Sequence, residues 1–401
     1  MSLAEQRVAV IGAGIGGLAA AMALAERGAH VEVFEQAPAL TDVGAGIQIG
    51  PNGVAVLEAL GLRDGAERLA ATPQGVELRD HRGDRMVARV PLGHAAATRY
   101  GRPYWQFHRA DLLSVLVAGA AEAGVALRLG RKVARVSAVE DGVAVETEDG
   151  GTSTVSIAIG ADGVRSAVRA AHFDAAPPRF TGHVAWRGLV DAGSLPEGLF
   201  PDGACVTMGP RRHLVTYPLR GGRLINFVAV EERAGWTDEG WTAPDDPENL
   251  RRAFAGFGYA AEALLARVET TFLWGLFDHA PLEAWSKGRI GLLGDACHPM
   301  LPFLAQGATM ALEDAWVLAA ELDVAVSPEQ GLMAYEARRR PRATRVQQAA
   351  ARNGRIYHLD GPARAAAQLA LRTASTLAPL SLLGRFDWLY GADVVSAQAT
   401  A

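Results

Sequence analysis

The 401-residue sequence predicts an α/β chain, α+β overall, in which a Rossmann-like lobe is interleaved with a mostly antiparallel β-sheet lobe and followed by C-terminal helices. Three observations predict it. An apolar strand, Val8 to Ile11, runs into a Gly-x-Gly-x-x-Gly turn at Gly12, Gly14 and Gly17, and Glu35 stands at the end of the next apolar strand. Between about Pro177 and Trp274 the pattern becomes strand-rich and helix-poor. On either side of that region, buried strands end in paired glycine and acid, at Ile157 to Gly163 and at Gly288 to Asp295. The chain therefore crosses between two lobes several times.

The glycine turn has a specific physics. Gly12 permits the tight turn, Gly14 lets the backbone approach a pyrophosphate, and Gly17 lets the next helix pack closely with its N-terminal N–H groups facing the phosphates. Glu35, closing His30 to Phe34, offers a carboxylate to the hydroxyls of a ribose. The alanine-rich helix between is expected from Leu18 to Arg27, with Gly28 as its C-terminal stop. A glycine-bearing loop from Asp42 to Gln48 and a helix opened by Pro51-Asn52-Gly53 follow. Alternation from Gly75 to Val90 reads as short antiparallel strands. A helix opens at His108 and runs through Ala123, before a strand at Val125 to Leu129 and a hairpin-like stretch from Val133 to Glu148. Strands are expected at Val184 to Val190, Cys205 to Met208, Leu214 to Leu219 and Leu224 to Val230, then a helix from about Gly307 to Glu321. The tail from Tyr335 has helical period, broken at Gly361-Pro362 and Pro379. These elements divide into residues 1–75, 101–176 and 276–334 for the dinucleotide lobe, 76–100 and 177–275 for the sheet lobe, and 335–401 for the helical tail.

Composition excludes several classes. With 49% hydrophobic residues the chain can bury a large core, and a net charge of −5 without a basic, aromatic-laced stripe gives nucleic acid no purchase. The run Arg338 to Arg342 reads as a solvated helix face with some cofactor or domain contacts. Two cysteines, Cys205 and Cys297, have no metal-ligand spacing, so no metal and no disulfide is expected, and a reduced cytoplasmic location fits. No apolar run approaches the length of a membrane span, and no signal peptide is expected, since polar Ala4 to Arg7 leads straight into the first strand. A monomer or homodimer is expected.

Together the glycine turn with Glu35, the segment Gly160-Ala161-Asp162-Gly163-Val164-Arg165-Ser166, and Gly294-Asp295-Ala296-Cys297-His298-Pro299-Met300-Leu301-Pro302 resemble the single-component FAD-dependent aromatic hydroxylases of the para-hydroxybenzoate hydroxylase fold. The likeness is greatest to salicylate hydroxylases and their hydroxybenzoate and hydroxynicotinate relatives, on Gly44 to Asn52, Pro302 to Ala308 and Phe386 to Gly391. The resemblance implies that FAD is held by Gly12, Gly14, Ile15, Gly17, Glu35, Gln36, Arg109, Val133, Asp162, Gly163, Asp295, Pro302, Gly307 and Ala308. In this family Asp295 would accept a ribityl hydroxyl, and the Gly307 and Ala308 N–H groups would meet the flavin edge where negative charge develops. NADH or NADPH would dock transiently as reductant, O2 would add at flavin C4a, and the oxygen would pass to an activated ring.

A phenol attacks well while losing its proton, so a base is wanted. Strand alternation puts His213, Val215 and Tyr217 on one face, making His213 the candidate base with Tyr217 beside it, against a histidine merely satisfied at a sheet edge. Gln48, Arg187 and Phe303 are expected around the substrate: an amide, a cation for a carboxylate, and an aromatic cover. His298 is expected to be structural. The 6-hydroxynicotinate enzymes would carry histidine at Gln48 and Phe303, and the 3-hydroxybenzoate 6-hydroxylases glutamine at Pro302. Salicylate, converted to catechol with loss of CO2, is the first expectation, and those two activities are the alternatives. A halogenase lacks its Trp-x-Trp-x-Ile-Pro motif here. A non-catalytic flavin redox sensor or interaction protein is the rival from another class.

Overall fold

The computed structural model describes residues 3–40, 46–173, 176–236 and 243–399. Residues 42–45 of the expected Asp42 to Gln48 loop lie outside these. A six-stranded sheet runs in the order Ser286–Lys287, Ile290–Leu292, Ile157–Gly160, Arg7–Ile11, His30–Phe34, Ala126–Arg128, parallel except for the first, hairpin-linked pair. Val8, Ala9 and Val10 are buried on both faces, which is why this strand reads as a continuous apolar run rather than an alternation.

The first helix spans Ile15–Ala25 and starts three residues before the expected Leu18, because Gly14 is itself the extended N-cap and Gly16 and Gly17 already belong to the helix. Side chains would not fit there. A Cβ on Gly17 would run into the Gly12 carbonyl, and one on Gly16 would sit 2.6 Å from Leu293 Cδ2. The helix ends at Ala25, and Gly28, at φ +92°, turns the chain into His30–Phe34.

An eight-stranded sheet takes the order Ala243–Asp245, Thr271–Asp278, Arg179–Asp191, Leu224–Glu232, Arg212–Leu219, Ala204–Gly209, Gly75–Asp80, Met86–Pro91. It is antiparallel except where Ala204–Gly209 runs parallel to Gly75–Asp80. Its two faces have different covers. Val184, Trp186, Leu214, Phe227 and Leu273 pack with Leu250, Phe254, Phe257 and Leu264, which belong to or flank Pro247–Ala253 and Tyr259–Leu265, two short helices that the strand-rich reading of this region did not anticipate. The opposite face carries His183, Ala185, Val230, His213, Val215 and Tyr217 in cross-strand register, and Phe303, Tyr357 and Gly46 come down on it.

Gly46–Ile49 and Trp105–His108 form a two-stranded ribbon, unforeseen in the sequence, that joins the two sheets: the Gly46 N–H donates to Asn226 Oδ1 (2.7 Å) and Tyr217 packs on Gly46 so closely that a Cβ there would collide with the ring. Val133–Val139, Gly142–Thr147 and Thr152–Val155 make a small meander, one strand longer than the expected hairpin. A helix at Gly93–Tyr100 follows the Gly75 to Val90 strands.

The tail helix begins earlier than Tyr335. It spans Pro328–Tyr357, capped by Ser327, and carries Pro341 within it. Gly361–Leu377 and Pro379–Gly384 follow, each with proline in its first turn. The arginine run is a solvated face only in part, with 31% of the Arg338 side chain and 42% of the Arg340 side chain exposed. Arg339 is 1% exposed and donates to Asp314 Oδ1 (2.7 Å) and Glu313 Oε2 (2.6 Å), while Arg342 donates to both Glu313 oxygens at 2.7 Å. Asn52 also donates to Glu313 (2.7 Å), so one buried network ties three helices together. Helical period put these arginines on a helix, but the acidic partners are supplied by Gly307–Val324, which the local pattern cannot reveal. No helix among the described residues is long and apolar enough to cross a membrane.

Candidate active site

The glycine turn and its surroundings have the form of a dinucleotide cradle. Gly12 is at φ +107° with room for no side chain, since a Cβ would stand 2.5 Å from the Ala161 carbonyl oxygen. Gly14 has nothing within 4 Å of its Cβ position, so its backbone is open to a ligand, and Ile15 begins the helix behind it. The Glu35 carboxylate accepts the Ala13 N–H (2.9 Å) and the Ala37 N–H (2.8 Å), which fixes it beside the turn with lone pairs remaining for hydroxyls. Gln36 lies between these contacts. The Arg131 N–H donates to the Glu35 carbonyl (2.8 Å), bringing the start of Val133–Val139 alongside.

Across the sheet, Asp162 Oδ2 accepts from the Val168 N–H (3.2 Å), and its Oδ1 is buried without a hydrogen-bond partner among the described residues. Gly163 is at φ +78°. Arg109 opens the helix Arg109–Glu122, and its charge acts on Asp295. Burial pushes the Asp295 carboxyl upward, against the opposing pull of His298 and Arg109. Its Oδ1 stands 4.0 Å from where a Gly307 Cβ would be, at the N-terminus of the long helix Gly307–Val324, and Ala308 follows. Pro302 opens the 3-10 turn Pro302–Leu304, and Ala305 takes a left-handed φ of +51° to turn the chain into that helix. Asp295 and Pro302 both line a cleft of about 140 Å³, together with Val164, Trp274, Phe277 and Met300.

A second cluster sits on the sheet face described above. His213 is 1% exposed, with its ring centroid 5.1 Å from Phe303 and 5.2 Å from Tyr357. Burial, with His358 and His183 nearby, pushes its pKa well below the usual imidazole range, so the ring is neutral at pH 7. Four residues along the strand, Tyr217 is 4% exposed and hydrogen-bonded to Gln48. Tyr104 donates its hydroxyl to Gln48 Oε1 (2.8 Å). Arg187 lies on the same sheet face, with its guanidinium carbon 5.0 Å from the Trp274 ring centroid. Thus the structure brings His213 together with Phe303 and Tyr217 together with Gln48, with Val215 between the pairs. Arg187 stands apart, two strands away. His213, Tyr217 and Gln48 do not line the cleft that Asp295 and Pro302 share.

Several residues escaped the sequence reading. Gln106, opposite Gln48 in the ribbon, is buried, and neither of its side-chain amide atoms has a hydrogen-bond partner among the described residues. A buried amide with nothing to bond is expensive unless a ligand satisfies it. Gln106, Asp162 Oδ1 and the open Gly14 backbone therefore fit FAD as the missing partner. Tyr104 and His358 were missed because no local pattern marks them. His298 does prove structural in its bonding: it pairs with the buried Asp314 carboxylate, which also accepts the Gly294 N–H (3.2 Å) and so shapes the turn that presents Asp295.

The family described as FAD binding domain matches residues 5–350. The 3-amino-4-hydroxybenzoate 2-monooxygenase PtnB3 of Streptomyces platensis is 39% identical over 400 residues, covering 98% of this chain and 97% of that protein. A 3-hydroxybenzoate 6-hydroxylase of Polaromonas naphthalenivorans is 36% identical over 393 residues, covering 98% and 97%. A salicylate hydroxylase solved as a substrate complex superposes with a TM-score of 0.82 at 30% identity, covering 98% of this chain and 97% of that one. With FAD as its cofactor, NAD(P)H as reductant and O2 as co-substrate, the chain belongs to the FAD binding domain family and is a flavoprotein monooxygenase of the aromatic hydroxylase type.

Proposed function

We propose that this enzyme hydroxylates a hydroxybenzoate whose phenol is presented to His213 and whose carboxylate lies toward Arg187. The observation that carries the reading is the neutral, buried His213 sharing one sheet face with Tyr217 and Arg187. FAD, bound along Gly12, Gly14, Ile15, Gly17, Glu35, Gln36, Arg109, Val133, Asp162, Gly163, Asp295, Pro302, Gly307 and Ala308, with Gln106 added, supplies the oxygen-transfer chemistry once NAD(P)H and O2 are present.

The chain's own residues supply position, dryness and proton control. His213 accepts the phenol proton as the ring is attacked, which makes the ring electron-rich when it must be. Gln48 uses its carbonyl for Tyr104, so its amide N–H groups face the Tyr217 oxygen, and the Tyr217 O–H is left to donate to substrate. Phe303 covers the ring and excludes water. Arg187 is opposite Val228, which is opposite Val215, so its backbone stands two strand spacings, about 10 Å, from the His213 strand. That separation suits a phenol meta or para to the carboxylate better than the ortho arrangement of salicylate. The 39% identity to an enzyme named for 3-amino-4-hydroxybenzoate supports the same choice. Salicylate is the second reading, favoured by the likeness to the salicylate hydroxylase complex.

The test is a panel of 3-amino-4-hydroxybenzoate, 3-hydroxybenzoate, salicylate and 6-hydroxynicotinate with NADH or NADPH, scored for product by mass against peroxide. A meta- or para-phenol hydroxylated with its carboxyl retained is the expected result. Catechol from salicylate alone would select the second reading, and peroxide alone from every acid would sink both.

A further inference from the structure

His213 cannot keep the proton it takes. Its surroundings are Phe303, Tyr357, His183 and His358, with no carboxylate in contact among the described residues, and an imidazolium there would be a buried, unpaired charge. A route leads out through His358. His213 Nδ1 lies 2.7 Å from His358 Nε2, and His358 Nδ1 lies 2.8 Å from Glu232 Oε1. Side-chain exposure is 3% for His358 and 32% for Glu232, so the three groups step from the interior to solvent. Arg211 holds the outer end, donating Nε to Glu232 Oε2 (3.2 Å) and its N–H to the His358 carbonyl (3.2 Å). These residues come from two adjacent strands and the C-terminal cap of the long tail helix.

We propose that Glu232, His358 and His213 form a proton relay that sets the tautomer of His213 and carries the substrate's phenolic proton to solvent, with His358 and Glu232 as positioning residues. The inference rests on the function proposed above. The Glu232 carboxylate only accepts, so His358 carries its proton on Nδ1 and offers a lone pair at Nε2. His213 must then donate Nδ1–H to that lone pair, which leaves its own Nε2 unprotonated and ready for substrate. As the phenol O–H bond breaks, His213 Nε2–H forms. The Nδ1 proton of His213 passes to His358 Nε2, and the Nδ1 proton of His358 passes to Glu232 and on to water. No electrons move and no charge remains on either imidazole. Reprotonation of the product through the same three groups restores the starting tautomers. His183 is the other titratable group facing His358, at 5.4 Å between ring centroids, and Tyr357 faces His213. His183, Glu232 and His358 are also close enough to share a cation, and a bound cation would block the relay.

Histidine 15N NMR of the FAD-bound enzyme reads the tautomers without turnover. Protons on Nδ1 of both His213 and His358 are expected, with both reversed to Nε2 in Glu232→Gln. Nε2 protonation of both rings in the wild type overturns the relay whether or not any hydroxybenzoate is a substrate. With a turned-over acid, stopped-flow absorbance should show phenolate forming at least tenfold more slowly in His358→Gln and Glu232→Gln, at similar substrate affinity and flavin reduction rate. Imidazole should restore the rate in His358→Ala. Wild-type rates in both variants, or loss of wild-type activity on adding a chelator, refute the proposal. An inert panel with the expected tautomers would reject the proposed substrates and leave the relay standing.

Discussion

Replacing Arg339 by methionine removes the cation at the centre of the buried network while keeping most of its volume. Arg339 is 1% exposed and bonds two fully buried carboxylates, Glu313 and Asp314. Breaking a buried pair by removing one partner is destabilising by about 3–5 kcal/mol, because the charge left behind keeps its desolvation penalty. Glu313 still has Arg342 and Asn52, and Asp314 still has His298, which argues for the lower end of that range. With an unfolding entropy of about 2.1 cal/mol/K per residue, the loss corresponds to a fall in Tm of roughly 4–6 °C if the chain melts as one unit. Asp314 also accepts the Gly294 N–H, so the turn carrying Asp295 should loosen and FAD should bind more weakly. Thermal melts at saturating FAD, with a parallel flavin fluorescence titration, read both effects. A variant that melts within 1 °C of the parent and keeps its flavin would refute the assignment of the network as a structural anchor.

Gly12→Ala should lower FAD affinity at least tenfold, since its Cβ would fall 2.5 Å from the Ala161 carbonyl at a φ of +107°; unchanged affinity in a flavin titration would disprove the cradle. His213→Ala should cut coupled product about 10²-fold or more while NAD(P)H-driven peroxide formation persists, and a fully coupled variant would remove His213 as base. Burial raises the Asp314 carboxyl, but His298 and Arg339 overcome this and hold it at about 2, below its ordinary 3.8. That stabilisation is complete above the ordinary value and is lost as pH falls through about 2. Denaturant titrations should therefore show wild-type stability dropping between pH 4 and 2 more steeply than that of Arg339→Met, and parallel profiles would contradict the pairing.

The glycine turn, the parallel strands and the placement of Glu35 were legible because they depend on local backbone physics: a left-handed φ, a close approach, a run of residues buried on both faces. Strand alternation likewise put His213 and Tyr217 on one face, which the cross-strand register bears out. What covers that face was not legible. The tail helix brings Tyr357 and His358 to His213 across 145 positions, Glu232 arrives from the neighbouring strand, and Gln48 meets Tyr104 through a ribbon that no local pattern announces. The carboxylate partners of Arg339 and Arg342 were missed for the same reason: helical period gives a residue's angle around its axis, but not which neighbour supplies the carboxylate. The sequence by itself determined a dinucleotide cradle and a sheet face bearing His213 and Tyr217, both written in contiguous residues. Only the tertiary structure decided which partners bury and desolvate that histidine and which groups it contacts, because burial and pairing between distant segments exist only once the whole chain has packed.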